Sequence, residues 1–105
     1  MIHHVVHFQL VAGADPTTLE QLVRTSRSQL LRIPEVLAVR SGRNLDPCSP
    51  WHFFFAVEVD SLEKLRTVLE DPFYLKLMAK TIQPHAVAEL SLDYELDPSR
   101  DLKYS

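Results

Sequence analysis

The chain has 105 residues, of which 46% are hydrophobic and 24% charged, with a net charge of −3. That length suits one compact domain, and mixed-sign charge of this size excludes the basic footprint of a nucleic-acid binder. No apolar run reaches the ~20 residues needed to cross a bilayer, and Met1-Ile2-His3-His4 lacks the cationic start of a secretory leader. Surface scaling buries about two-thirds of the surface of such a chain, enough for a core without disulfides or metal. The one cysteine, Cys48, has no intrachain partner. That fits a reducing compartment, so a cytoplasmic location is expected.

Residues 2–10 are a β-branched and aromatic run ended by Ala12-Gly13. They predict a strand with Ile2, His4, Val6, Phe8 and Leu10 on one face and His3, Val5, His7 and Gln9 on the other. Asp15-Pro16 combines a helix cap with a proline suited to the first turn. Leu19, Leu22, Val23, Ser26 and Leu30 then recur at helical spacing, predicting a helix from about 16 to 32 that Pro34 stops. Val36 to Asn44 reads as a second strand, and Asp46-Pro47-Cys48-Ser49-Pro50 as a loop. Trp51 to Val59 is the strongest strand, apolar on both alternating faces, so both sides of the sheet should be covered. Asp60 is the expected cap of the next helix, with Glu63 placed as in a capping box. Leu62, Leu65, Val68 and Leu69 supply its buried stripe.

Asp71-Pro72 repeats the cap-and-proline signal and predicts a break and restart. Phe73 or Tyr74, Leu77, Met78 and Ile82 then carry an apolar face on to Pro84. From Leu90 to Leu96, apolar Leu90, Leu92 and Tyr94 alternate with Ser91, Asp93 and Glu95, the pattern of a last strand. Residues 97–105 read as a polar C-terminal tail outside a domain of residues 1–96.

The order strand, helix, strand, strand, helix, strand is the α+β, ferredoxin-like βαββαβ arrangement. It predicts a four-stranded antiparallel sheet with the helices on one face. Val5, Phe54, Ala56 and either Leu37 or Val39 would then stand on the opposite face without cover. An apolar sheet face in water marks a partner site, and two copies packed about a two-fold axis cover it economically. A homodimer is therefore expected.

Several landmarks fall in a recognisable order: Ile2-x-His4-Val5-Val6-x-Phe8-x-Leu10, Ile33-Pro34-x-Val36, Gly42-Arg43-Asn44, Phe55-x-Val57-x-Val59-x-Ser61, Asp71-Pro72, Ile82-x-Pro84 and Asp93-Tyr94. Together they resemble the stress-responsive dimeric α/β-barrel domain family over nearly the whole chain. The resemblance implies that the sheets of two protomers curl into one barrel, with a pocket between sheet and helices. It is also distantly similar to a plant polyketide cyclase of that family, which works without a cofactor through a tyrosine and a histidine. His4 aligns with that family's pocket histidine, with Val6 and Phe8 behind it. The cyclase's His-Pro-x-His motif is replaced by Asp71-Pro72-Phe73-Tyr74, and Val68 stands where its catalytic tyrosine would be. His85 falls near a pocket tryptophan of the cyclase and would restore an imidazole. The implied catalytic set is thus His4, Tyr74 and His85, in a pocket lined by Val6, Phe8, Leu22, Ser26, Phe55 and Leu77.

Read from the residues alone, His4 is a general base or a core histidine with one hydrogen-bond partner. Tyr74 is a second polar group in the same space or a core aromatic. His3 and His7 lie four residues apart on a strand, about 13 Å, too far to share one ion. A bridging ion between His7 and His52 at the dimer seam is the weaker alternative, as is a pH-sensitive dimer. No metal and no cofactor is expected. Cys48 lacks the neighbours of a nucleophile. Arg43 could hold an acidic ligand at the cavity mouth. Two functions follow. The first is a homodimeric module that binds a small apolar or aromatic molecule. The alternative is a cofactor-independent cyclase, lyase or isomerase acting on a polyketide-like or aromatic carbonyl compound. Neither involves a membrane or nucleic acid.

Overall fold

Strict alternation over Ile2–Leu10 becomes strand β1 in the computed structural model, which describes residues 1–96; the expected tail, 97–105, lies outside the described residues. Gly13, at φ +86°, adopts the left-handed turn conformation that glycine tolerates and redirects the chain. Helix α1 follows over Pro16–Leu30, with the Asp15 carboxylate accepting from the Thr18 N–H at 2.7 Å. That hydrogen bond holds the Asp15 carboxyl below its usual range. Leu22, Ser26 and Leu30 face the sheet, and α1 stops slightly before the expected end, in a turn ahead of Pro34.

Strands β2 (Ala38–Arg43) and β3 (Phe53–Val59) form a hairpin. Its loop is held by side chains: Asn44 donates to the Trp51 carbonyl and Asp46 accepts from the Cys48 N–H, both at 2.9 Å. Gly42 faces the ring of Phe54 across the pair, and a Cβ there would lie 3.3 Å from its Cε1.

Helix α2 spans Leu62–Glu70. Its cap is Ser61, whose hydroxyl accepts from the Lys64 N–H at 3.2 Å; the expectation of Asp60 is corrected. Strand β3 runs extended through Val59, so Asp60 lies one residue too early and its carboxylate pairs instead with Lys64 Nζ at 3.3 Å. Asp71 restarts the chain as expected, accepting from the Phe73 N–H to open α3 (Pro72–Lys76). A π-helical stretch, Leu77–Ile82, and a 3-10 turn, Gln83–His85, lead to β4 (Ala86–Glu95). Pro84 therefore sits within the final turn, where its missing N–H is not needed. Strand β4 begins earlier than the alternation at Leu90 suggests, because Ala86 already pairs with Leu10 across a register shift.

The sheet order is β2-β3-β1-β4, all antiparallel. Helices lie on one face, over β1, β2 and β3. Beneath them Val6, Phe8, Phe53, Phe55, Val57 and Val59 meet Leu22, Leu30, Val68, Leu77 and Ile82 in one core. Val39 joins this side, opposite Val57, which corrects its candidacy for the open face. The open face carries Val5, Phe54 and Ala56 as expected, and β4 adds Leu90, Leu92 and Tyr94 by register. Those three β4 residues are 36% to 50% exposed, Val5 and Phe54 are half-buried and Ala56 is covered by its neighbours, so the apolar surface left in water lies chiefly along β4.

Candidate functional site

Central placement of β1 gives His4 a neighbour on each side: Val57 on β3 and Asp93 on β4. His4 is buried, with only 4% of its side chain exposed, whereas the Asp93 side chain is 49% exposed. A carboxylate can only accept, so imidazole Nδ1 carries the proton and donates to Asp93 Oδ1 at 2.5 Å. Nε2 is then the acceptor, and it takes the Tyr74 hydroxyl at 3.3 Å. Asp71-Pro72 is what delivers Tyr74: the restarted helix α3 turns that side chain back over the sheet. There its ring meets the edge of Phe55, with centroids 6.0 Å apart at 88°.

Burial pushes the Tyr74 phenol well above its ordinary value of 10.0, and the charges of Glu89 and Asp93 push the same way. Tyr74 is thus a neutral O–H donor at physiological pH. The arrangement is a carboxylate, an imidazole fixed in one tautomer, and a phenol, in a chain that runs from solvent to the core.

The expected lining residues Val6, Phe8, Leu22, Ser26, Phe55 and Leu77 all lie on the helix side of the sheet and are at most 2% exposed. Among them Ser26 stands out, since its Oγ is buried and has no partner among the described residues. His85 is not brought to the pair, which corrects its place in the implied catalytic set. The Val11 N–H donates to the His85 carbonyl at 2.8 Å, so His85 sits at the far end of β1 from His4. Six residues of strand separate those ends, about 20 Å. His52 also turns away from the seam expected with His7: its Nδ1 accepts from the Leu10 N–H at 2.9 Å. His7 packs instead between Trp51 and Phe54. Among the described residues no three His, Cys, Asp or Glu side chains converge as a metal site.

Local sequence does not mark Asp93 as the partner of His4. Its signals were present separately, in the Asp93-Tyr94 landmark and in the polar alternation of β4. Joining them required the β1–β4 register.

Sheet order, one-sided helices and an Asp–His–Tyr chain define a ferredoxin-like α+β unit with a polar chain on its core side. The model of the stress responsive A/B barrel domain matches residues 2–96, and the chain belongs to that family. Solved structures share the fold. A Dabb family protein from Mesorhizobium loti superposes with a TM-score of 0.78 at 20% identity, over 90% of this chain and 95% of that one. A dimeric ferredoxin-like protein from Thermobifida fusca gives 0.79 at 20%, over 90% of each chain. The hydroxynitrile lyase of Passiflora edulis gives 0.76 at 16%, over 92% of this chain and 94% of the lyase. Among curated proteins no relative matches the chain.

Proposed function

We propose that this chain works as a cytoplasmic homodimer that binds a small aromatic or apolar molecule between sheet and helices. The molecule's carbonyl or hydroxyl would meet His4 and Tyr74. One observation carries the reading: a polar chain, Asp93–His4–Tyr74, reaches into an otherwise apolar interior. Ser26 supports it, because a buried hydroxyl without a partner costs about 1–3 kcal/mol, which a polar ligand atom would offset. The approach is along β4, whose core-side Glu89, Ser91 and Asp93 are exposed, since among the described residues the helices pack chiefly over β1, β2 and β3. Dimerisation is supported by the apolar open face and by the dimeric relative of the same fold. A cytoplasmic setting is supported by Cys48, which is free and exposed.

The test is a melting-temperature screen with phenolic, aromatic-aldehyde and fatty compounds. A ligand at a hundred times its Kd adds about 2.7 kcal/mol, and each kcal/mol raises Tm by roughly 4–8 °C for a domain of this size. At least one compound should raise Tm, and Tyr74→Phe should reduce the gain. Failure of a broad panel, or an unchanged gain in Tyr74→Phe, would contradict the reading.

A second reading is favoured by the Asp93–His4 hydrogen bond, which orients an imidazole as a base needs. A carbonyl entering beside Tyr74 would take the phenol proton from His4 as a hydrogen bond, since 3.3 Å is a long contact readily exchanged. That frees Nε2 to accept a proton from the substrate, while Asp93 stabilises the imidazolium formed. The class is cofactor-independent lyase, cyclase or isomerase chemistry, and a hydroxynitrile lyase of the same fold supports it. His4→Ala should then lower turnover by about 10²–10⁴ with the dimer intact.

A further inference from the structure

At the end of the sheet away from His4, two adjoining hollows of about 300 and 430 Å³ share Pro16, Leu19 and Arg43. Those volumes lie at the lower end of small-molecule sites. Leu10, Val11 and Ala14 extend the apolar wall of the first, and Val23 that of the second.

Three charged groups border the hollows, and two are already committed. Asp15 caps α1 through the Thr18 N–H, and Glu20 pairs with Arg24 at 2.5 Å. Arg43 has no ion pair among the described residues and lies exposed at the end of β2. His52, in the same hollow, accepts from the Leu10 N–H through Nδ1. The neutral ring therefore carries its proton on Nε2, a second donor.

We propose that this end is a second ligand site, for a small organic carboxylate. The carboxylate takes the planar fork of Arg43, with the His52 Nε2–H as the second donor, and the apolar body lies against Leu19 and Pro16. One guanidinium and one neutral N–H match a planar monoanion. A phosphate dianion carries twice the charge that one guanidinium neutralises, and the apolar wall offers it nothing. About 20 Å of β1 separates this site from His4, so the proposal does not rest on the reading given above.

The experiment titrates the full ¹⁵N-labelled chain with benzoate and hexanoate. Benzyl alcohol, hexanol and inorganic phosphate serve as matched controls. At least one of the two carboxylates should shift the amides of Gly13, Leu19 and Gly42 saturably. In Arg43→Gln the affinity should fall at least about tenfold. The His4→Ala variant should bind as the parent does, which separates failure here from failure at His4. The same spectra report whether each variant is folded. No saturable shift below about 10 mM, a Kd of the weakest useful kind, would overturn the site. So would equal shifts from the alcohols or phosphate, or undiminished affinity in folded Arg43→Gln.

Discussion

His4 Nδ1 and the carboxylate of Asp93 lie 2.5 Å apart although 89 positions separate them in the chain. The pair joins a buried donor to a half-exposed acceptor, so its two halves should respond differently to mutation. Asp93→Ala strands a buried N–H and should cost about 1–3 kcal/mol in chemical denaturation. The double variant His4→Leu/Tyr74→Phe removes the buried polar groups together and leaves a carboxylate that water can solvate. It should cost less than Asp93→Ala. The reverse order would show that His4 is held mainly by packing.

Tyr74 supplies a pH signature. Its folded pKa is raised above the unfolded value by burial and by the charges of Glu89 and Asp93. Its contribution to stability is therefore complete below the unfolded value of 10.0 and is lost as pH rises toward the higher folded value. The chain has three tyrosines. In a native ultraviolet titration Tyr74 should stay protonated past pH 10.0, the ordinary tyrosine value. Parent and Tyr74→Phe should trace the same curve up to that point. A larger phenolate signal in the parent at pH 10 would contradict its burial against the two carboxylates.

Asp15 gives the opposite sign. Its pKa is lowered, chiefly by the Thr18 N–H, so its charge stabilises the fold above the unfolded value of 3.8. That contribution fades as pH falls through the lower folded value. Asp15→Asn keeps a capping side chain but not the charge. The Tm difference between parent and variant should be present at neutral pH and vanish in strong acid. A constant difference across that range would assign the effect to something other than the charge.

The open face carries the prediction about assembly. Leu90 and Leu92 stand there at 39% and 36% exposure, opposite His7 and Val5 across β1. Lysine at both positions would bury two unpaired charges in any sheet-to-sheet contact. Sedimentation equilibrium at micromolar concentration should find the parent as a dimer and Leu90→Lys/Leu92→Lys as a monomer with the same circular dichroism. A dimer that survives both substitutions would place the interface elsewhere.

Much of this architecture was legible from periodicity. Alternation placed His4 on the helix side of β1, and the paired signals Asp15-Pro16 and Asp71-Pro72 marked two helix starts that the structure contains. The cap of α2 was not legible in this way: local pattern points to Asp60, one residue too early. Ser61 caps because β3 leaves the sheet after Val59, a tertiary matter. Strand β4 was harder still. Ala86-Val87-Ala88-Glu89 has no clean alternation, so the strand's early start and the remote position of His85 follow only from pairing with β1. The same register turns apolar Leu90, Leu92 and Tyr94 away from the helices and polar Asp93 toward His4. A pattern reading of β4 alone does not say which of its faces is which.

The most direct measurement follows the ring nitrogens of His4 by ¹⁵N NMR while a carbonyl- or hydroxyl-bearing aromatic compound is titrated in. Before addition, Nδ1 should be protonated and Nε2 bare, the tautomer that Asp93 imposes. On addition the Nε2 resonance should move saturably, to one equivalent per chain, and Tyr74→Phe should weaken the response. Should Nε2 carry the proton from the start, or stay still through every compound tried, His4 is a core residue and the site is not there.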